Sequence, residues 1–218
     1  MKTKYLDLHR MDCMELMARY PDKHFDLAIV DPPYGINADK NQETRAGKRG
    51  EGKNAGTFKL YHSTEWDATP PPQRYFDELQ RVAKAWIVWG GNYFPHLTSS
   101  GIVVWYKGGS GKYKEGELAK TNINTFKVFQ YSRADAYIND CPEKIHPTQK
   151  PVKLYDWLLQ NYAEKGQKIL DTHMGSGSIA IACHYAKCHL TASELDEDYF
   201  NAACERIERE TRQQTLFD

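Results

Sequence analysis

Four consecutive residues, Asp31-Pro32-Pro33-Tyr34, set a carboxylate, two prolines and an aromatic ring directly after the apolar run Phe25–Val30. That run reads as a buried strand, and open α/β sheets place their ligands at the carboxyl ends of strands. Proline has a carbonyl but no N–H, and its φ is fixed. The Asp31 carboxylate and the Pro32 carbonyl are therefore two acceptors converging on one point. An exocyclic amine on a flat base offers two N–H donors and a lone pair delocalised into its ring. Acceptors that hold both hydrogens out of the ring plane localise that lone pair and aim it at an electrophile. Tyr34 adds a ring face for stacking, worth roughly 1–3 kcal/mol per base. Alone, the stretch also fits a simple strand-to-loop turn, because Asp-Pro and Pro-Pro are ordinary turn formers.

A second cluster stands far along the chain. Asp171-Thr172-His173-Met174-Gly175-Ser176-Gly177-Ser178 follows a short strand, Gln167–Leu170, and opens a helical stretch, Ile179–Ala186. Glycine lets backbone approach a ligand closely, and a carboxylate at the next strand's tip can accept two ribose hydroxyls. Glu194, 17 residues beyond Gly177, ends the strand His189–Ser193. Dehydrogenases use a similar turn for NAD. Here, however, Asp171 precedes the glycines, and Ala180 stands where Gly-x-Gly-x-x-Gly has its third glycine. A pyrophosphate needs helix N–H groups facing an anion. A carboxylate at the strand tip suits a cationic or amine-bearing ligand, which favours S-adenosylmethionine. Between the clusters lies His146-Pro147-Thr148-Gln149-Lys150-Pro151, a proline-bracketed lead into a helix, with Thr148 as a candidate cap. Thr148 and Lys150 also suit a ligand carboxylate.

The elements that must position these residues follow from hydrophobic spacing. Seven strands are expected: Tyr5–Leu8, Phe25–Val30, Trp86–Trp89, Ile102–Tyr106, Thr125–Ser132, Gln167–Leu170 and His189–Ser193. Asp12 reads as the N-cap of a helix through Tyr20. A helix carrying Phe76, Leu79, Val82 and Ala83 follows Pro70–Pro72, another runs from Pro151 to about Tyr162, and Asp196 caps one through Arg212. Residues 37–60 are rich in Gly, Lys, Arg and Asn and read as a mobile basic loop, placed to contact phosphates. A second loop is expected from Lys107 to Lys120.

With 218 residues, 40% hydrophobic and 27% charged, the chain can bury the core of one α/β domain, 1–218. Its net charge is +0 and its pI about 7.1, so any nucleic-acid surface must be local. No stretch has the length and apolarity of a signal sequence or a membrane span. Cys13, Cys141, Cys183, Cys188 and Cys204 lack CxxC spacing and suit a reducing cytosol, and no metal site is expected.

Taken together, Asp31–Tyr34, His146–Pro151, Asp171–Ser178 and Glu194 resemble the β-type, order-permuted DNA amino-methyltransferases, in which the catalytic motif precedes the cofactor motif. The likeness extends to Glu65-Trp66-Asp67, Gly90-Gly91-Asn92-Tyr93-Phe94 and Glu117-Leu118-Ala119, so it spans nearly the whole chain. It implies a Rossmann-like methyltransferase fold with a seven-stranded, mostly parallel, circularly permuted sheet. It also implies S-adenosylmethionine as cofactor, held by Asp12, Asp31, His146, Thr148, Lys150, Asp171, Met174, Gly175, Ser176, Gly177 and Glu194. Asp31, Pro32, Pro33 and Tyr34 are then the catalytic residues, acting on a base flipped out of double-stranded DNA. Aspartate rather than serine at position 31 leans the resemblance towards adenine N6, with cytosine N4 as the alternative. Methylation of RNA or a protein glutamine, or a non-catalytic binding subunit, are the competing readings. Cytosine C5 chemistry would need a nucleophilic cysteine, and the chain has no Pro-Cys dipeptide.

Members of this family often dimerise, serve restriction–modification, and insert a target-recognition region before the His-Pro-Thr segment. Only Arg133–Ile145 fills that place here, so the expected target is short or degenerate. The tail Gln213-Gln214-Thr215-Leu216-Phe217 resembles peptides that dock into bacterial sliding clamps. A cytoplasmic, DNA-associated protein of bacterial or phage origin is expected.

Overall fold

Strand β2 (Phe25–Val30) is apolar at every position except Asp26 and is buried on both faces. Side chains alternate along a strand. Leu27 and Ile29 accordingly join one core cluster, while Ala28 and Val30 join another. The computed structural model describes residues 1–37, 67–109, 115–140 and 144–212. The expected basic loop beyond Asn37, Glu65-Trp66, the stretch 110–114 and the tail 213–218 lie outside the described residues.

Around β2 the sheet is built from β1 (Leu6–Arg10), β3 (Ala83–Trp89), β4 (Gly101–Tyr106), β5 (Gly116–Thr121), β6 (Phe126–Gln130), β7 (Lys168–Asp171) and β8 (His189–Glu194). The order is β1-β8-β7-β2-β3-β5-β4-β6. β1, β8, β7, β2 and β3 run parallel, and β5 is antiparallel to both β3 and β4. The early strand β1 thus pairs with the late strand β8 at one edge, as the permuted order requires.

Helices cover both faces. α3 (Val152–Tyr162), α4 (Ser178–Ala186) and α5 (Glu197–Arg212) bury Leu154, Leu158, Ile179, Ile181 and Ile207 in the first cluster. α1 (Cys13–Met17) and α2 (Gln73–Val82) bury Leu16, Met17, Phe76 and Leu79 in the second. Among the described residues, no helix is long and apolar enough to cross a membrane.

Three expectations need correction. The sheet has eight strands, not seven. The extra one is β5, inside the span expected to be a loop. Its sequence, Gly-Glu-Leu-Ala-Lys-Thr, hides it, because its charges are satisfied inside the fold. Lys120 donates to the Phe94 and Leu97 carbonyls at 2.9 Å each, and Glu117 pairs with two lysines. α1 stops at Met17, and the chain to Tyr20 closes as i→i+3 turns ahead of Pro21, since a residue before proline disfavours the helical region. Ala83 belongs to β3 rather than the preceding helix, paired with Phe25.

Arg206 is the one charged side chain of α5 that is fully buried among the described residues. Its guanidinium donates to the Ser176 carbonyl at 3.1 Å and the Ser178 hydroxyl at 2.9 Å. Ser178 in turn donates to the Lys150 carbonyl at 2.7 Å. One arginine therefore locks α5, the glycine turn and the His-Pro-Thr segment together. Leaving such groups without partners costs about 1–3 kcal/mol. Arg206→Met should lower stability by at least that much in urea unfolding. Arg212→Met, at an exposed side chain paired with Glu208, should change it by less than about 1 kcal/mol. Equal losses would contradict this account.

Candidate functional site

β2 and β7 are parallel neighbours, so Asp31 and the Asp171–Ser178 turn leave the same edge of the sheet side by side. Two cavities open there, of about 550 and 520 Å³. The first is lined by Asp12, Pro33, His146, His173, Met174, Gly175, Ser176, Glu194 and Tyr199 among others. The second is lined by Pro32, Tyr34, Asp67, Asn92, Tyr93 and Glu117 among others. Asp31, Thr148 and Lys150 line both. Successive residues of the Asp-Pro-Pro-Tyr run thus face alternate chambers, with the carboxylate at their common wall. Tyr34 and Glu194 line adjoining cavities rather than one chamber.

The Asp31 carboxylate is held from both sides. One oxygen accepts the Tyr34 hydroxyl and the other pairs with the Lys150 ammonium. Lys150 also lies 3.3 Å from Glu117, and Glu117 pairs with Lys107. Burial alone would lower the Lys150 pKa, but Asp31 and Glu117 outweigh it and raise the ammonium above its usual range. Burial likewise works against ionised Glu117, yet Lys150 and Lys107 bring it down to about 2. The loop itself is shaped by Asp67, whose buried carboxylate accepts the backbone N–H groups of Tyr34 at 2.5 Å and Gly35 at 2.9 Å. Gly35 has φ +73°, and a side chain there would strike Pro70 at 2.6 Å. Tyr34 stacks on Tyr93 at 5.0 Å and 12°, so one of its faces is already covered. Gly90, with φ +71°, lies against the same ring, where a Cβ would come within 2.1 Å of it.

In the first cavity Glu194 accepts the backbone N–H of Gly175 at 2.9 Å and of Asp196 at 3.0 Å. Asp12 is the N-cap of α1, accepting from Met14 and Glu15 at 2.8 and 3.2 Å, and also lines the cavity. His146 packs edge-on against Tyr199 at 4.4 Å, and burial pushes its pKa down to about 3. Burial also takes His173 down to about 4, so both imidazoles are neutral at pH 7. The Thr148 N–H donates to His146 Nδ1 at 3.3 Å, which leaves the ring proton on Nε2. The lining carries the carboxylates of Asp12, Asp31, Glu194, Asp196 and Glu197 against one lysine, Lys150, among the described residues.

Several sequence-expected residues have placements of their own. Asp171 lies beneath the turn rather than in the cavity wall, with its carboxylate accepting the His173 N–H at 3.0 Å. Gly177 packs on α5, where a Cβ would meet Ile207 at 2.7 Å. Lys150 points to Asp31 and Glu117, and Thr148 does not cap α3, whose N-cap is Pro151. Lys107, Glu117 and Arg206 were not foreseen as parts of the site. No spacing rule pairs a lysine just past β4 with a glutamate on β5, a strand itself hidden by its polar composition.

Burial pushes the Asp171 carboxyl from an ordinary 3.8 up to about 8; the His173 N–H opposes the shift, while Asp31 and Glu194 add to it. An acid whose pKa rises on folding holds more protons folded than unfolded, so stability falls as pH climbs through that window. Asp171→Asn removes this loss and keeps an oxygen for the His173 N–H. Its Tm advantage in the ligand-free protein should grow from pH 5 to pH 8.5; a constant difference would contradict the assignment.

Comparison with known proteins follows the same lines. The family model described as DNA methylase matches residues 88–205, more than half of the chain. YubD of Escherichia coli (strain K12), named a candidate methylase, is 26% identical over 90% of this chain and 87% of its own. The type II methyltransferase M2.MboI of Moraxella bovis is 20% identical over 82% and 79%. Among solved structures, the cytosine-N4-specific PvuII DNA methyltransferase aligns with a TM-score of 0.62 at 13% identity, over 97% of this chain and 92% of its own. The M1.HpyAVI complex with S-adenosylmethionine aligns with a TM-score of 0.59 at 15% identity, over 93% and 98%. The aligned fold, the matched model and two cavities meeting at the Asp-Pro-Pro-Tyr carboxylate agree, and the chain belongs to the N6/N4 family of DNA methylases.

Proposed function

We propose that this protein methylates the N6 amino group of adenine in DNA, with S-adenosylmethionine as donor in the first cavity and a flipped-out base in the second. The observation that carries this reading is the shared wall: Asp31 faces both chambers, so an acceptor for the amine stands where donor and base would meet. The first cavity suits the cofactor on its own chemistry. Its excess of carboxylates disfavours a pyrophosphate and favours a ligand with sulfonium and ammonium charges. Glu194, fixed by two backbone N–H groups, is placed for ribose hydroxyls, and Ser176, Thr148 and Gln149 are neutral groups for the ligand's own carboxylate. Asp12, Met174 and Gly175 complete the lining that would hold it.

When bound, the cofactor supplies an electrophilic methyl group on sulfur. The chain's own residues supply orientation. Each Asp31 oxygen has one contact to Tyr34 or Lys150, which leaves lone pairs to accept the amine hydrogens. Pro32 offers its carbonyl on the base side without a competing N–H. Tyr34 and Tyr93 form the aromatic wall against which the base lies. Holding the reactants in line in this way supplies much of the rate, because no covalent enzyme intermediate is needed.

Duplex DNA incubated with the protein and labelled cofactor should yield N6-methyladenine on nucleoside mass spectrometry, at a short or degenerate sequence. Asp31→Ala should cut transfer by about 10³-fold or more while cofactor binding changes little. N4-methylcytosine as the product would reassign the base, and full activity of Asp31→Ala would overturn the mechanism.

A further inference from the structure

Glu117 is the centre of a largely buried charge chain. It sits on β5, an internal strand, with its carboxylate between the Lys107 and Lys150 ammonium groups. Lys150 is 4% exposed at its side chain and spans Glu117 and Asp31. Lys107 lies over the Trp105 ring at 4.2 Å, and Lys150 over Trp89 at 5.5 Å, so both cations are enclosed by apolar surface. Two cations and two anions make the cluster neutral. An unpaired charge in such a place is costly, whereas a paired set is held in one geometry.

We propose that Glu117 is a positioning residue for the transfer reaction, acting through Lys150 to hold the Asp31 carboxylate at the junction of the two cavities. The inference rests on the reading of Asp31 given above. Its logic is geometric. Lys150 has Asp31 on one side and Glu117 on the other, and Tyr34 OH stands 3.5 Å from its Nζ. With Glu117 neutral, Lys150 is left with Asp31 as its one counter-charge in direct contact among the described residues. The ammonium then draws further onto Asp31, competes with the amine for its lone pairs, and moves the carboxylate from the wall. A displacement of about 1 Å at such a point can cost about 10²-fold in rate.

Among the described residues, the charged and titratable groups facing Lys150 are Asp31 just past β2, Tyr34 from the same loop, Lys107 just past β4, Glu117 from β5, His146 from its own segment and Asp171 from β7. Loss of the Glu117 charge removes an anion from this set and leaves the Lys107 cation. The alkaline limb of the kcat profile should therefore move to lower pH.

Methyl transfer to duplex DNA tests this with wild type, Glu117→Gln, Lys150→Met and the double variant. Expected for Glu117→Gln are a kcat lower by about 10- to 100-fold, cofactor Kd within about threefold, and an alkaline limb shifted down by about one pH unit or more. In the Lys150→Met background, Glu117→Gln should have almost no further effect, because its action runs through Lys150. If Glu117→Gln misfolds by circular dichroism, Lys107→Met/Glu117→Gln removes a charge of each sign and carries the same kinetic test. Wild-type kcat and pH profile in the Glu117 variant, or effects additive with Lys150→Met, would overturn the proposal. Should Asp31→Ala remain active, the underlying reading fails; should Asp31→Ala be dead and Glu117→Gln normal, this inference alone fails.

Discussion

The architecture of the site depends on one ion pair, that between the Lys150 ammonium and the Asp31 carboxylate, across 119 residues of sequence. It closes the wall between two chambers, and it forms because the glycine turn after β7, the parallel neighbour of β2, holds the His146–Pro151 segment through the Ser178 hydroxyl on the Lys150 carbonyl. Neither partner would be stable there alone. A buried carboxylate or ammonium loses several kcal/mol of hydration, and pairing with further hydrogen bonds is what offsets that loss. Tyr34 on one side and Glu117 on the other supply the remainder.

A division of electrostatic labour follows. At the second cavity Glu117, Lys107, Lys150 and Asp31 balance, and the Asp67 carboxylate is taken up by two backbone N–H groups, which suits a neutral, flat base. In the first, Glu197 pairs with Arg10 and Asp31 with Lys150, while Asp12, Glu194 and Asp196 add carboxylates beside two neutral imidazoles, which suits a cationic ligand. The raised pKa of Asp171 belongs to the same picture. Burial is its main cause, and the neighbouring Asp31 and Glu194 carboxylates add to it.

Much of this was legible in the residues. The apolar run before Asp31, the glycine turn after β7, the acid at the tip of β8 and the cap at Asp12 were all placed by spacing and residue type. The pairing of β1 with β8 accords with the permuted order that the resemblance implies. What escaped was the polar interior. β5 carries Glu117 and Lys120 in an inner strand, and hydrophobic patterning assigns such a stretch to a loop because it cannot see carbonyls and ammonium groups arriving from elsewhere. Gly177 was read as backbone clearance for a ligand, whereas its missing side chain makes room for Ile207. Lys150 was read as a partner for a ligand carboxylate, whereas the fold offers it two of the protein's own. In each case the residue type was informative and the partner was not, because partners are set by tertiary packing.

The most direct measurement is a crystal structure of the protein with a non-transferring cofactor analogue and duplex DNA. The account predicts the analogue in the cavity bounded by Glu194, and an extrahelical adenine with its amino nitrogen about 3 Å from the Asp31 carboxylate and the Pro32 carbonyl. A base whose amine lies outside the second cavity, or an analogue bound away from Glu194, would contradict it.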